Sequence, residues 1–460
     1  MSGTPTKRPR TEPTSPARSS SKELKLAPLF RKSIQNEYRW LPTLKHTKLG
    51  KGCEHFVWGE PRGRAKIAAF DIDGTIISTA SGDKFPKTAE DWRPWSPEVL
   101  PKLRQAYSDG YGIVLISNQA GSPAQQKKFK DKMPLLCRKI DVPLHVFAAF
   151  DYDIHRKPGT GMWDAFVADH NDNVAVDLAS SFYVGDAAGR AGTSPDHSDC
   201  DRKLAMNIGI PFLTPEEYFK GHPPSTNWSL SGFNASTYDH DQPLYTPTST
   251  PLLPRRLSEF DDHVHPEVII FVGSPGAGKT SFYKKHFAPK GYVHINQDTL
   301  HTREACLSRL VKTLSVPDPP SCIIDNTSPS RHVRELYVST VRRQFSELKV
   351  KVRCFVFTAS RDVCMHNSVY RALYDRVDRG NGKVREMLPP IAFDSFRNNY
   401  EEPTLDEGFD EIKHIAFKFD GTADQLAQWQ RWLVDCYKKP SQPKRVASAK
   451  ASGGNKTTTR

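Results

Sequence analysis

The stretch Val268-Ile269-Ile270-Phe271-Val272-Gly273-Ser274-Pro275-Gly276-Ala277-Gly278-Lys279-Thr280-Ser281 decides how the rest of the chain is read. Val268 to Val272 are apolar or β-branched and read as a buried parallel strand. Gly273, Gly278, Lys279 and Thr280 then fill every fixed position of GxxxxGK[ST]. Glycines let successive backbone N–H groups approach phosphate oxygens, and the following helix turns its N-terminal donors to the same anion. Residues Gly273 to Ser281 are therefore the expected ATP-binding loop. Lys279 supplies charge to the β- and γ-phosphates, and the Thr280 hydroxyl is placed to ligate Mg²⁺.

Composition sets the outer limits. The 460 residues suffice for two or three domains. Apolar residues make up 37%, with 24 Phe and 8 Trp, enough for substantial cores, and 36 Pro point to long linkers or tails. No run approaches the roughly 18 apolar residues of a membrane span, and no signal-peptide pattern opens the sequence, so no membrane role is expected. The 8 Cys are scattered without a CxxC pair, which favours reduced thiols over a zinc site. The formal charge of +13 comes from the two ends. Residues 1–32 carry eight Lys/Arg against two Glu, and residues 438–460 carry seven Lys/Arg and no acid, so the body between them is formally neutral.

Along the chain, the first residues are rich in Ser, Thr, Pro and basic groups and are expected to be disordered. Lys7-Arg8-Pro9-Arg10 has the form of a nuclear-import signal. Lys66 to Phe70 is a short apolar strand that runs into Asp71-Ile72-Asp73-Gly74-Thr75. Three more strands follow: Gly112–Ile116 before Ser117, Val146–Phe150 before Arg156-Lys157-Pro158, and Ser181–Val184 before Gly185-Asp186. Their ends deliver a carboxylate pair, a hydroxyl, a lysine and another carboxylate, at the edge where open α/β sheets bind ligands.

DxDGT at a strand end resembles the haloacid-dehalogenase superfamily, and that resemblance assigns roles. Asp71 is the expected nucleophile. Asp73 is the expected proton donor to the leaving oxygen and then the base for water, with its carbonyl on the metal. Ser117 and Lys157 bind the phosphoryl oxygens, with Arg156 nearby. Asp71, Asp73 and Asp186 hold Mg²⁺, a hard cation suited to oxygen ligands. Asp201 reads either as part of the metal's surroundings or as a solvated loop carboxylate.

His222 to Asp262 is rich in Pro, Ser and Thr and reads as a linker whose Trp228, Phe233 and Tyr238 pack on a domain surface. After the glycine loop, Tyr292–Asn296 is a strand with Asp298 just past its end. Asp298 is placed either to accept the proton of an attacking hydroxyl or to cap a helix starting near Thr299. Asp325 and Asn326 follow a further strand, where an acid can order Mg²⁺ through water. Asp362 to Arg379 reads as one helix accompanied by Arg361, Arg371, Arg376 and Arg379, any of which could neutralise transferring phosphate. Trp429 and Trp432 are expected in the core packing of a final helix.

The two motif sets in one chain resemble the eukaryotic bifunctional polynucleotide 5′-kinase/3′-phosphatases of DNA strand-break repair, over about residues 40 to 437. The runs carrying the resemblance are Phe70–Thr75, Arg156-Lys157-Pro158 with Gly161-Met162-Trp163, and Val184–Arg190. In the second half they are Gly273–Thr280, Asn296–Leu300 and Ile324–Thr327. His366-Asn367 followed by Arg371 resembles the family's lid and singles out Arg371. Only a basic tail precedes the phosphatase, where animal members carry a phosphopeptide-binding domain, so the architecture looks fungal. Gln297 stands where the family often has Arg, leaving Gln297 and the nearby Arg303 as alternatives for that substrate contact.

The resulting expectation is an α/β chain in five parts. They are a disordered basic tail (1–39), a haloacid-dehalogenase-like phosphatase (40–221), a linker (222–262), a P-loop kinase (263–437) and a second basic tail (438–460). It would use Mg²⁺ at both sites and ATP as donor, act as a nuclear monomer on nicks, gaps and double-strand breaks, and meet other repair proteins. RNA-end repair, a small-metabolite phosphatase fused to a small-molecule kinase, and a non-catalytic scaffold are the alternatives.

Overall fold

Two open sheets, each covered by helices on both faces, organise the computed structural model, which describes residues 37–46, 51–192, 195–253, 265–377 and 384–434. The first sheet runs in the spatial order Tyr38–Leu44, Cys53–Trp58, Leu144–Ala149, Tyr111–Asn118, Lys66–Phe70, Phe182–Val184, Phe212–Leu213. The last five strands are mutually parallel. Alternate residues of these strands enter opposite cores, as a period of two requires. Phe70, Leu115 and Val146 pack with helices Val99–Ser108 and Pro123–Ile140. Ala69, Val114 and Phe147 pack with helices Gly161–Asp169 and Cys200–Ile208. A strand buried on both faces has no polar alternation, which is why these strands read as continuous apolar runs.

The second sheet has the order Tyr245–Thr246, Glu411–Ile415, Lys351–Phe357, Glu267–Val272, Cys322–Ile324, Val293–Ile295, parallel apart from its first pair. Ile270 and Cys354 face helices Arg303–Leu314 and Arg331–Gln344. Phe271 and Phe355 face Phe282 of helix Lys279–His286 and Cys364 of helix Arg361–Leu373. Among the described residues no helix is long and apolar enough to cross a membrane.

Four expectations change. Residues 38 and 39 belong to a strand and not to a tail, because Tyr38 pairs with Trp58 and stacks on Phe56 at 5.4 Å. The helix expected to run to Arg379 ends at Leu373; beyond it the Arg376 carbonyl accepts from the Arg385 N–H and Val377 pairs with Val384. Among the described residues the last helix is Ala423–Trp429, so Trp432 lies beyond it. The segment read as a linker is held along its described length. Ser231 bonds Asp199, the Tyr238 hydroxyl donates to the Phe417 carbonyl, and Tyr245–Thr246 forms an edge strand. Buried Lys413 and Arg353 then take the carbonyls of Pro247, Thr250, Pro251 and Leu252. Arg379 and both basic ends, including Lys7–Arg10, lie outside the described residues.

Candidate active sites

In the first sheet the strand ends converge on a buried lysine. Lys157 Nζ lies 2.5 Å from Asp71 Oδ1, 2.8 Å from Asp201 Oδ1, 2.9 Å from the Ile116 carbonyl and 3.1 Å from the Tyr183 hydroxyl. The Asp71 amide is tied to the Val184 carbonyl of the neighbouring strand, which fixes the backbone from which its carboxylate projects. Asp71, Asp186 and Asp201 offer oxygens within 4.8 Å of one another. Asp201 is 1% exposed on the first turn of helix Cys200–Ile208 and also accepts from the Ala187 amide, so the solvated-loop reading of it is wrong. That approach depends on Gly185, whose missing Cβ would overlap the Asp201 carboxylate.

The electrostatics follow from three carboxylates and one ammonium in a buried place. Desolvation pushes Asp71 well above the usual carboxylate range, Lys157 pulls it down, and Asp201 and Asp186 push it up again. Desolvation, then Asp201, raises Asp186 to about 7. Burial alone would lower Lys157, but Asp201 and Asp71 outweigh it and hold the ammonium well above its ordinary value. With all three carboxylates ionised the cluster is two negative charges in excess, and an oxygen-lined site of that charge fits a divalent cation such as Mg²⁺.

Asp73 is set apart. Its side chain is half-exposed and receives Gln119 Nε2 at 2.6 Å and Lys132 Nζ at 3.2 Å. Its carboxylate is therefore not in the acidic cluster, so of the metal contact expected of Asp73 only its carbonyl is left as a candidate. Ser117 is buried and accepts from Gln119 Nε2 at 2.9 Å, which joins the two residues at the mouth. Arg156 lies over the Tyr152 ring at 4.4 Å.

In the second sheet, Lys279 folds back onto its own loop, with Nζ 2.8 Å from the Gly273 carbonyl and 2.9 Å from that of Ser274. Gly276 has φ +78°, and a Cβ there would overlap the Cys364 carbonyl. Asn367 donates to the Gly276 carbonyl at 2.9 Å, pinning the loop to helix Arg361–Leu373. Pro275 and Gly278 are partly exposed, Ala277 is buried, and Ser281 is exposed. The Thr280 hydroxyl donates to Asp325 Oδ2 at 2.7 Å, and His294 Nε2 lies 2.9 Å from the same oxygen. Asp325 Oδ1 is buried without a hydrogen-bond partner, so a cation beside Thr280 has an acceptor waiting. Desolvation lowers Lys279 below the ordinary lysine value. Asp325 and Asp298 oppose that shift and Arg371 adds to it, which puts Asp298 and Arg371 within electrostatic reach of the loop.

Asp298 is exposed, and it is not a cap. Asn296 caps the short helix Gln297–Leu300 through the Asp298 amide, and Thr302 caps helix Arg303–Leu314. The helix-cap alternative for Asp298 is thereby removed. Asn326 accepts from the Gln297 amide and donates to the Tyr337 hydroxyl, holding the same turn. Among the other arginines, Arg361 pairs with Asp394 and Arg376 donates to the His46 carbonyl. Gln297 is exposed and Arg303 partly so.

Sequence reasoning passed over Lys132, Tyr183 and His294. Lys132 had a signal: it lies three residues after Phe129 and four before Leu136, on the apolar face of its helix. Tyr183 and His294 sit inside strands, where nothing local marks a polar partner.

The sheets and their strand-end chemistry define a phosphatase of the haloacid-dehalogenase fold joined to a P-loop kinase, and enzymes of these two folds use Mg²⁺ and ATP. The polynucleotide kinase 3 phosphatase family matches residues 66–219, and an AAA domain matches residues 268–403. The bifunctional polynucleotide phosphatase/kinase of Schizosaccharomyces pombe is 34% identical over 381 residues, covering 82% of this chain and 85% of that one. A polynucleotide 3′-phosphatase of Arabidopsis thaliana is 35% identical over 171 residues, 34% of this chain and 24% of its own. One of Saccharomyces cerevisiae is 28% identical over 171 residues, 34% of this chain and 66% of its own. The chain belongs to the bifunctional polynucleotide phosphatase/kinase family.

Proposed function

We propose that this chain makes broken DNA ends ligatable, removing a 3′-phosphate in its first half and phosphorylating a 5′-hydroxyl in its second. The observation that carries the reading is the pairing of a Lys157-clamped Asp71 in an acidic cluster with a complete phosphate loop, in one chain. In the first half Asp71 attacks phosphorus and the bond to the 3′ oxygen breaks. Asp73, open to solvent, gives that oxygen its proton and then takes one from the water that cleaves the aspartyl-phosphate. Lys157, with Ser117 at the strand end, neutralises the phosphoryl oxygens. In the second half Asp298 takes the proton of the 5′-hydroxyl as its oxygen attacks the γ-phosphorus of ATP and the bond to the β–γ bridging oxygen breaks, releasing ADP, while Lys279 and Arg371 neutralise the transferring group.

Asp71, Asp186 and the Asp73 carbonyl would hold Mg²⁺ in the phosphatase, with Asp201 beside them. Thr280 and Asp325 would place it in the kinase. Bound there, it supplies charge neutralisation on phosphate oxygens. A formally neutral body suits an enzyme that recognises a terminus and not a long duplex, and the basic ends suit added DNA affinity and nuclear import. The test is a nicked duplex bearing 3′-phosphate and 5′-hydroxyl, incubated with ATP and Mg²⁺ and read at both ends by mass spectrometry. Conversion of both ends is expected. Conversion of free nucleotides alone, or of RNA ends in strong preference to DNA, would overturn the substrate assignment.

A further inference from the structure

We propose that the kinase half positions the phosphatase lysine, and that Asn207 is the residue through which it does so. The inference rests on the reading of Asp71 and Lys157 as the phosphatase site. Asn207 lies near the end of helix Cys200–Ile208, the helix that also carries Asp201. Its Nδ2 donates to the Pro158 carbonyl at 2.8 Å, one residue after Lys157. The same amide group donates to the Trp432 carbonyl at 2.8 Å, and Oδ1 accepts from the Trp432 amide at 2.8 Å. Both donors and the acceptor of one carboxamide are thus used to join the lysine's loop to a backbone segment 225 residues later.

Neighbouring contacts run the same way. Arg431 Nη1 donates to Thr160 Oγ1 at 2.8 Å, three residues after Lys157. Buried Lys203, paired with Asp199 at 2.8 Å, donates to the Val434 carbonyl at 3.1 Å and lies 5.0 Å from the Trp432 ring. The segment that receives these bonds is itself fixed. Fully buried Trp429 donates through Nε1 to Asn367 Oδ1 at 2.8 Å, and Asn367 holds the Gly276 carbonyl of the phosphate loop. Residues 431–434 thus form a brace that continues from the kinase core, and Asn207 ties it to the turn that follows Lys157.

The ammonium of Lys157 must meet Asp71 at one end and the phosphoryl oxygens at the other, so a small displacement of its backbone weakens both contacts. Misplacement of a catalytic group by about 1 Å can cost on the order of a hundredfold in rate. Asn is the residue type the arrangement needs. Asp offers no donors and would set a charge against two carbonyls, and Ala offers nothing.

The experiment uses the full chain with Mg²⁺ and a 3′-phosphorylated oligonucleotide, comparing wild type, Asn207→Ala, Asn207→Asp and Arg431→Ala. Asn207→Ala is expected to lower kcat for phosphate release by roughly tenfold or more, with KM within about twofold and with 5′-kinase rate and melting temperature near wild type. Asn207→Asp is expected to be slower still. Arg431→Ala, a change wholly within the kinase half, is expected to lower the same kcat severalfold. Wild-type phosphatase kcat in the Asn207 variants would overturn the proposal. So would parallel loss of both activities with an early melt, which would mark Asn207 as a plain interface residue. A wild-type chain without phosphatase activity would instead fail the underlying assignment of Asp71.

Discussion

Replacing Lys157 by Met keeps most of the side-chain volume and removes the cation at the centre of the phosphatase site. The lysine side chain is 2% exposed, against 9% for Asp71 and 1% for Asp201, so the loss leaves two carboxylates facing each other out of water. Removing one partner of a buried ion pair costs about 3–5 kcal/mol. In a unit of 150–250 residues each kcal/mol moves the melting point by about 2–4 °C, so the phosphatase half should melt roughly 6–20 °C lower in a chelator. The deficit should depend on pH. Burial already raises Asp71 above its unfolded value, and losing Lys157 raises it further. A carboxylate with a raised folded pKa binds more protons folded than unfolded, so stability rises as pH falls through that pKa. The gap to wild type should be widest near pH 8 and shrink towards pH 5. Lys157 itself, held above its usual value, stays charged through this whole window and contributes no slope of its own. Mg²⁺ should raise the mutant's melting point more than the wild type's, because a divalent ion restores part of the missing charge. Turnover of a 3′-phosphorylated oligonucleotide should fall about 10²–10³-fold at saturation. Calorimetry at pH 5, 6.5 and 8, with and without chelator, and steady-state phosphate release are the assays. A melting point within 2 °C of wild type at pH 8 in chelator, with turnover within a few-fold, would refute the charge argument.

Asp71→Asn should abolish 3′-phosphate release and leave 5′-phosphorylation near wild type, while Lys279→Ala should do the reverse; loss of both activities in either well-folded variant would mean the chain is wrongly divided. Asp298→Asn should lower kinase turnover about 10²–10⁴-fold with normal melting and an unchanged phosphatase rate, and a kinase within a few-fold of wild type would leave Asp298 without a chemical role. Trimming to residues 33–437 should weaken DNA binding and flatten its salt dependence while turnover at saturating DNA holds; an identical salt slope would show that the ends do not touch DNA.

How much of this was readable before the structure depended on how local each feature is. The phosphate loop and DxDGT are short runs whose strand, glycines and acid sit within a dozen residues, so their places at two sheet edges followed directly from the sequence. The central strands were readable because burial on both faces removes polar interruptions. The strand Tyr38–Leu44 was not, since it is a partly exposed edge whose partner gives it meaning. Asp298 shows the limit within a single turn. An Asp after a strand is a good cap by type, yet Asn296 two residues earlier has the extended backbone a cap needs, with φ −136° and ψ 131°, and takes the bond. Side-chain type alone could not choose between them, because the choice lies in where the chain leaves the strand.

Asp201 shows the limit over longer distance. Its neighbours Asp199, Cys200 and Arg202 look like a polar loop, and only the return of helix Cys200–Ile208 against Gly185 buries it beside Lys157. The helix could not come that close if Gly185 carried a Cβ, so a glycine read as turn chemistry next to Asp186 is also the space into which a second acid fits. Asn207 extends the same logic across the domain boundary. One face of its helix supplies the acid that pairs with Lys157, and its end supplies the carboxamide that ties the lysine's loop to residues 431–434. A phosphatase site assembled from strand ends in the first half is thus steadied from the second, and the two activities share more than a polypeptide.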